Sequence, residues 1–366
     1  MTGSADAEPG TMSGTDRTGG SRLASFGSFV PAIDSTTCLL ARAAFATCRA
    51  CADACPTGAL TAGPDALTIE ASRCLGCGLC VPACPEAAIA SPLRFDLTIR
   101  GSKALFLACA ASAVHDGDRA HAVAGAIPCL HMLGLRDLAA IHNQGAELVV
   151  ACCGDCSSCL ELRGPRLADT ASLFATLLGA RGITALRFEF VDQERFLQLR
   201  QQALPPGDTR VLARRAFLRM FSPPAMAKAE AGRDAFGIVL TAPDNVTAFR
   251  PSIDGRKCSG CDACIHACPH GALRLEHRDP GGEPTRAYAI TPSACTNCGL
   301  CRDICTENAI TIAKAGRPQQ FEIPLVAVRC EQCGVPGHIP AMQPPQPRCR
   351  VCARLDGRQR LFQVQD

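Results

Sequence analysis

Four short runs of cysteine carry the chemistry of this chain. Cys74-x2-Cys77-x2-Cys80-x3-Cys84-Pro85 and Cys258-x2-Cys261-x2-Cys264-x3-Cys268-Pro269 share one spacing. Cys295-x2-Cys298-x2-Cys301-x3-Cys305 repeats it without the proline. A further run keeps Cys48-x2-Cys51-x3-Cys55-Pro56 but sets its first thiol back at Cys38, with Phe45 three residues before Cys48. Thiolates are soft ligands suited to iron–sulfur clusters and to zinc. A zinc or disulfide array is the competing reading of such crowding.

The elements that must hold these thiols follow from composition and pattern. With 366 residues the chain divides into two or three domains by length alone. Its 26 cysteines suit either a secreted disulfide scaffold or an intracellular metal protein. The first thirty or so residues have neither a basic n-region nor an apolar h-region, so no secretory signal is expected; the cysteines read as reduced and metal-bound, and the location as cytoplasmic. That Gly-, Ser- and Thr-rich segment, residues 1–35, reads as disordered. No run approaches eighteen apolar residues, so no membrane span is expected. The formal charge of +3 includes no dense basic run, which argues against nucleic acid as a partner. It also counts every cysteine as neutral. Four cubanes with thiolate ligands, at about −2 each, would move the total to roughly −5 and make an acidic holoprotein despite a sequence pI of 8.0.

The paired runs resemble the bacterial two-cluster ferredoxin, over residues 36–93 and 251–314. In that family three close cysteines bind one 4Fe-4S cluster and the fourth binds its neighbour. The resemblance implies one cluster on Cys38, Cys48, Cys51 and Cys84, and a second on Cys74, Cys77, Cys80 and Cys55. It implies a third on Cys258, Cys261, Cys264 and Cys305, and a fourth on Cys295, Cys298, Cys301 and Cys268. Cys38 departs from the family spacing, so its cluster needs a longer loop or lacks an iron. Between the paired runs lie β-like stretches with central turn residues, "ALTAGPDALTIE" and "ALRLEHRDPGGEPTRAYAI". Residues 36–98 and 251–315 are read as ferredoxin modules of α+β type.

Residues 99–203 alternate apolar strand-length runs ("KALFLAC", "GAIPC", "ELVVACC", "ALRFEFV") with helical patterns, which predicts βαβ units and a parallel, flavodoxin-like α/β domain. Ligands gather at the carboxyl ends of such strands. Cys109, Cys129, Cys152 and Cys153 fall there, and Cys156 and Cys159 follow. "AIPC…GLRDLAAIHNQGAELVVACCGDC" resembles the delta subunit of methyl-viologen-reducing hydrogenase, which implies a 2Fe-2S cluster. This chain departs from it in having Cys109 followed by Ser112 and in a shortened Cys152-Cys153-Gly154-Asp155-Cys156. The expected ligands are Cys109, Cys129, Cys153 and Cys156, with Cys152 and Cys159 as substitutes. Buried inert thiols or a zinc site are the alternatives. His131, beside a leucine, reads as core or surface.

Residues 324–366 hold Cys330-x2-Cys333 and Cys349-x2-Cys352, the spacing of a zinc ribbon, with rubredoxin-type iron as the alternative. The intervening "GVPGHIPAMQPPQPR" reads as a proline-rich loop, and His338 as a surface bystander. Residues 204–250 read as a linker, in which Arg214–Arg219 lies too deep in the chain for an export signal. No dinucleotide or phosphate-loop fingerprint is present, and no small-molecule substrate is evident. The expected function is one-electron relay between a low-potential donor and a larger redox enzyme: a hydrogenase, a formate dehydrogenase or a heterodisulfide-reductase-like complex. A sulfur-chemistry enzyme using Cys152 and Cys153, or a cluster-based sensor, are the alternatives.

Overall fold

The computed structural model describes residues 30–90, 103–112, 126–156, 159, 166–203, 246–278, 285–344 and 346–354. Expectations for residues 1–29, for 204–245 with the Arg214–Arg219 stretch, and for 355–366 lie outside them.

The first cysteine-rich module runs β1 (Ala32–Ile33), α1 (Leu39–Arg42), α2 (Ala50–Asp53), β2 (Leu60–Ala62), β3 (Leu67–Ile69), α3 (Cys80–Ala83) and β4 (Ile89–Ala90). Its helices are single turns, far below the length at which a helix holds in water by itself. Packing must hold them. β2 and β3 form a hairpin around the Gly-Pro-Asp turn, and β4 pairs with β1, so the two ends of the module meet.

The α/β domain runs β5 (Ala104–Cys109), β6 (Ala126–Ile127), α4 (Leu135–Asn143), β7 (Leu148–Cys152), α5 (Leu167–Gly179), β8 (Arg187–Phe190) and α6 (Gln193–Ala203). Its four strands are all parallel, in the order β6-β5-β7-β8. Strand alternation splits its core. Leu105, Leu107 and Val149 pack with Leu138, Ile141, Phe174 and Leu177, while Ala108, Val150 and Cys152 face Phe196 of α6. Burial on both faces explains why these strands read as unbroken apolar runs.

The second module runs β9 (Thr247–Ile253), α7 (Ala263–Ala267), β10 (Leu273–Arg278), β11 (Thr285–Ile290), α8 (Leu300–Asp303) and β12 (Ile310–Gly316). β9 begins inside the span read as linker. Its Ala248 joins the core of the α/β domain while the strand pairs along β12, so it serves both units. The last described residues form β13 (Glu322–Arg329), β14 (Pro336–Pro340) and α9 (Arg350–Arg354).

The C-terminal region departs from the expected separate ribbon. β13 pairs with β11, giving an antiparallel sheet in the order β10-β11-β13-β14 that continues the second module. The stretch expected as loop contains β14, an edge strand with prolines at both ends, where missing N–H donors cost least. Among the described residues no helix is long and apolar enough to cross a membrane.

Candidate metal centres

None of the 26 cysteines is paired in a disulfide. Sixteen of them line four cavities. Cavity I is walled by Cys38, Cys48, Cys51 and Cys84, and cavity II by Cys55, Cys74, Cys77 and Cys80. Cavity III holds Cys258, Cys261, Cys264 and Cys305, and cavity IV holds Cys268, Cys295, Cys298 and Cys301. In each, three cysteines come from one run and the fourth from its paired run.

One local device sends the fourth sulfur across. After Cys55, Cys84, Cys268 and Cys305 the chain makes a turn closed by an N–H from the third residue onward, at 3.3, 3.3, 3.4 and 3.1 Å. That third residue has positive φ in every case: Gly58, Ala87, Gly271 and Asn308. The next amide then points back at the sulfur: Ala88 to Cys84 at 3.2 Å, Ala272 to Cys268 at 3.2 Å and Ala309 to Cys305 at 3.3 Å. Ala59 does the same for Cys55. Asn308 completes the turn although Cys305 has no proline after it. An amide donor stabilises a thiolate and tunes a cluster's potential.

Cys38 lies ten residues before Cys48, yet it occupies the place that Cys258 holds in the second module. Asp34 N–H bonds to Ala88 O at 2.8 Å, and Asp254 N–H to Ala309 O at 2.7 Å. Cys38 N–H then bonds to Asp34 O at 3.0 Å, as Cys258 N–H does to Asp254 O at 2.9 Å. The surplus residues include α1, whose Leu39 and Leu40 are buried in the module core.

Burial pushes the thiols of Cys51, Cys80, Cys264 and Cys301 from 9.0 up to about 12. Neighbouring thiols add to the effect, and no cation sits among the leading causes. Sulfurs crowded together and disfavoured by burial as free thiolates suit a cationic iron core that displaces their protons. The residues fit the group.

A 4Fe-4S dicluster domain family model matches residues 46–88 and 257–309, spanning both modules. The pyruvate synthase subunit PorD of Methanothermobacter marburgensis is 33% identical over 66 residues, 18% of this chain and 68% of that protein. The corresponding subunit of Methanocaldococcus jannaschii is 36% identical over 63 residues, 17% of this chain and 65% of that protein. The chain belongs to the 4Fe-4S dicluster domain family. It carries two such domains, of ferredoxin-like electron-transfer type, and spans about two thirds of the length of these relatives. A large part of it lies beyond the likeness.

That remainder includes the carboxyl edge of the parallel sheet. Cys109 ends β5, and Cys129 follows β6. Gly154 lets the loops after β5 and β7 meet: a Cβ there would sit 2.1 Å from Ala111 O. The approach puts Gly154 N–H 3.2 Å from Cys109 Sγ. The Cys153 thiol also donates to Cys109, and with the nearby amides outweighs burial, holding Cys109 down at about 6. Donating that proton, together with burial, pushes Cys153 up. Burial raises Cys129 to about 12 and also raises Cys156 and Cys159. His131 is more than core or surface. Its Nδ1 accepts the Leu167 N–H at 3.0 Å, and its Nε2 lies 3.4 Å from Cys156 Sγ.

Cys152 does not join this group. The pleat turns it to the other face of the sheet, 2% exposed, against Ala108 and Phe196. Cys153 packs against the opposite core, so the sheet separates the two adjacent thiols. The α/β edge also adjoins the first dicluster domain: a Cβ at Gly78 would meet Met132 Cε at 2.5 Å, and Arg136 Nη2 donates to Pro85 O at 3.1 Å.

The last thiol group is tighter. Cys330, Cys333, Cys349 and Cys352 place their sulfurs within 4.8 Å of one another, close enough for a single ion. Cys349 N–H donates to Cys330 Sγ at 3.2 Å, and Cys352 N–H to Cys349 Sγ at 3.4 Å. Beside it, His338 is 7% exposed rather than a surface bystander. Its Nε2 donates to Asp262 Oδ1 at 2.9 Å, and the buried Tyr288 hydroxyl donates to the same oxygen at 2.7 Å. Asp262 follows Cys261 with φ +61, where Gly78 and Gly299 take the equivalent positions at +74 and +85. The second dicluster domain therefore supports a left-handed aspartate with two donors, one delivered by β14. Sequence spacing had no means of reporting this.

Proposed function

We propose that the chain is the electron-relay subunit of a larger redox enzyme, of hydrogenase, formate dehydrogenase or heterodisulfide-reductase-like class. Four cavities of four cysteines each, built by crossed pairs of runs, carry this reading. Cys38, Cys48, Cys51 and Cys84 hold one cubane, and Cys55, Cys74, Cys77 and Cys80 the second. Cys258, Cys261, Cys264 and Cys305 hold the third, and Cys268, Cys295, Cys298 and Cys301 the fourth. A bound cubane stores and passes on single electrons. The chain's own contribution is to ionise and orient the thiols, supply the amide donors and exclude water. The relatives support the subunit reading, since each is named as a subunit of pyruvate synthase.

Cys109, Cys129, Cys153 and Cys156 hold a binuclear 2Fe-2S centre at the flavodoxin-like sheet edge, oriented by Gly154 and hydrogen-bonded by His131. Cys330, Cys333, Cys349 and Cys352 hold zinc. Their four sulfurs close the site, leaving no position for a substrate.

Anaerobic purification with iron, sulfide and zinc counts, followed by a redox titration, tests the scheme. About eighteen irons and one zinc per chain are expected, together with several electrons accepted and returned without iron loss. Colourless, metal-poor protein with oxidised thiols would sink it, and iron lost on each redox cycle would favour a sensor.

A further inference from the structure

The two dicluster domains come from distant parts of the chain, yet the bonds that join them begin and end beside cavity-lining cysteines. Glu86, two residues after Cys84, holds the same motif position as His270, two residues after Cys268. His270 Nε2 donates to the Glu86 carboxylate at 2.9 Å, and Thr296 Oγ1, next to Cys295, donates to it at 2.8 Å. The amide of Thr47, next to Cys48, donates to Asp303 Oδ2 at 2.8 Å, and Asp303 lies two residues past Cys301. Cys48 and Cys84 wall cavity I, whereas Cys268, Cys295 and Cys301 wall cavity IV. The apolar packing agrees: Leu300 is buried in the core of the first domain, and Cys298 packs against it.

We propose that Glu86 is a positioning residue that seats cavity I against cavity IV, making this seam the route by which electrons pass between the two domains. The inference rests on the reading that both cavities hold cubanes. The step moves one electron and no atoms: the centre in one cavity is oxidised as the centre in the other is reduced. One-electron transfer weakens steeply with separation, so the seam matters through the spacing it fixes. The Glu86 side chain is 4% exposed. Removing its carboxylate leaves His270 and Thr296 without their shared acceptor inside the contact, where an unmatched polar group is costly and the seam loosens. The other contacts of the two domains then have to hold cavities I and IV in place.

The test uses full-length holoprotein, wild type beside Glu86→Ala and Glu86→Gln. Iron and sulfide counts come first, and all three are expected to match. Low-temperature EPR of partly reduced samples then reads spin coupling across the seam, and flash photoreduction reads equilibration between domains. Glu86→Ala should show weaker inter-domain broadening and equilibrate measurably more slowly than wild type, because a loosened seam lengthens the gap the electron crosses. Glu86→Gln, which still accepts from both donors, should stay close to wild type. Full iron with unchanged coupling and rate in Glu86→Ala overturns the positioning role, whereas iron missing from wild type as well overturns the cubane reading instead. If Glu86→Ala loads poorly, the double variant Cys77→Ala, Cys261→Ala decides. Crippled in cavities II and III, it should retain two centres that broaden each other's signals, and sharp independent signals would refute the route.

Discussion

The two dicluster domains reach the same cavity design with different material. In the second, the leading sulfur of cavity III stands three residues before the next, Cys258 to Cys261. In the first, Cys38 stands ten before Cys48, and the extra residues fold as α1. Both leading cysteines nonetheless hang from an aspartate fixed to the returning strand region, Asp34 on Ala88 and Asp254 on Ala309. The β frame thus places the leading sulfur, and motif spacing only has to leave enough chain. The left-handed position after the second cysteine teaches a related lesson. Gly78 and Gly299 fill it in two of the runs and need no support, whereas the Cys258–Cys264 run fills it with Asp262, held by Tyr288 and His338.

The sharpest way to break this equivalence is to delete the leading sulfurs. Cys38→Ser and Cys258→Ser should cost the same: each loses iron from one centre and gives a three-iron EPR signal in the oxidised sample. A normal iron count in Cys38→Ser alone would show that the two positions differ. A second comparison sets loaded protein against stripped protein. Thiols such as Cys51 and Cys264, raised by burial from 9.0 to about 12, hold their protons in the folded, metal-free state. Their contribution is complete below about pH 9 and is lost as pH rises toward 12, because only the unfolded chain ionises freely in that interval. Urea unfolding of the reduced, chelator-stripped chain should weaken over that window, while the loaded chain, its thiols already ionised, should not follow.

Asp262→Gly would make the Cys258–Cys264 run copy its paired run, which carries Gly299 at this position. It relieves roughly 1 kcal/mol of left-handed strain but removes the acceptor that Tyr288 and His338 share, leaving them only their mutual 3.2 Å contact. With about 1–3 kcal/mol for the acceptor lost, a small net destabilisation is expected in chemical unfolding. A more stable variant would show that the Tyr288–His338 support is dispensable. The smallest effect belongs to Ala87, the non-glycine counterpart of Gly271 in the turn after the fourth cysteine. Ala87→Gly should gain at most about 1 kcal/mol from relieved strain, because glycine's greater freedom in the unfolded chain offsets part of it.

What the sequence discloses is local. Spacing within each run, the turn residues of β2–β3, and the alternation of strand and helix across residues 103–203 are short-range signals, and the structure shows the corresponding elements. The place of Cys38 is illegible because it depends on pairing between β1 and β4, over fifty residues apart. His338 reads as surface for the same reason: β13 pairs with β11, and β14 follows it onto the Cys258–Cys264 loop. The Glu86–His270 contact spans 184 residues and leaves no trace in either run. Cys152 is different, because its signal is legible. Its position at the end of β7 carries the alternation that separates it from Cys153, and counting parity along the strand is enough to show it.

The turn that sends each fourth sulfur across has a consequence for biosynthesis. A ribosome that has released only the run ending at Cys55 has completed neither pocket of the first domain, because Cys84 still walls cavity I and Cys74, Cys77 and Cys80 wall cavity II. The later run completes cavity II at Cys80 and cavity I at Cys84, and in the second domain cavity IV at Cys301 and cavity III at Cys305. Each half of the polypeptide therefore has to emerge almost to the end of its later run before either of its pockets has a full set of four sulfurs.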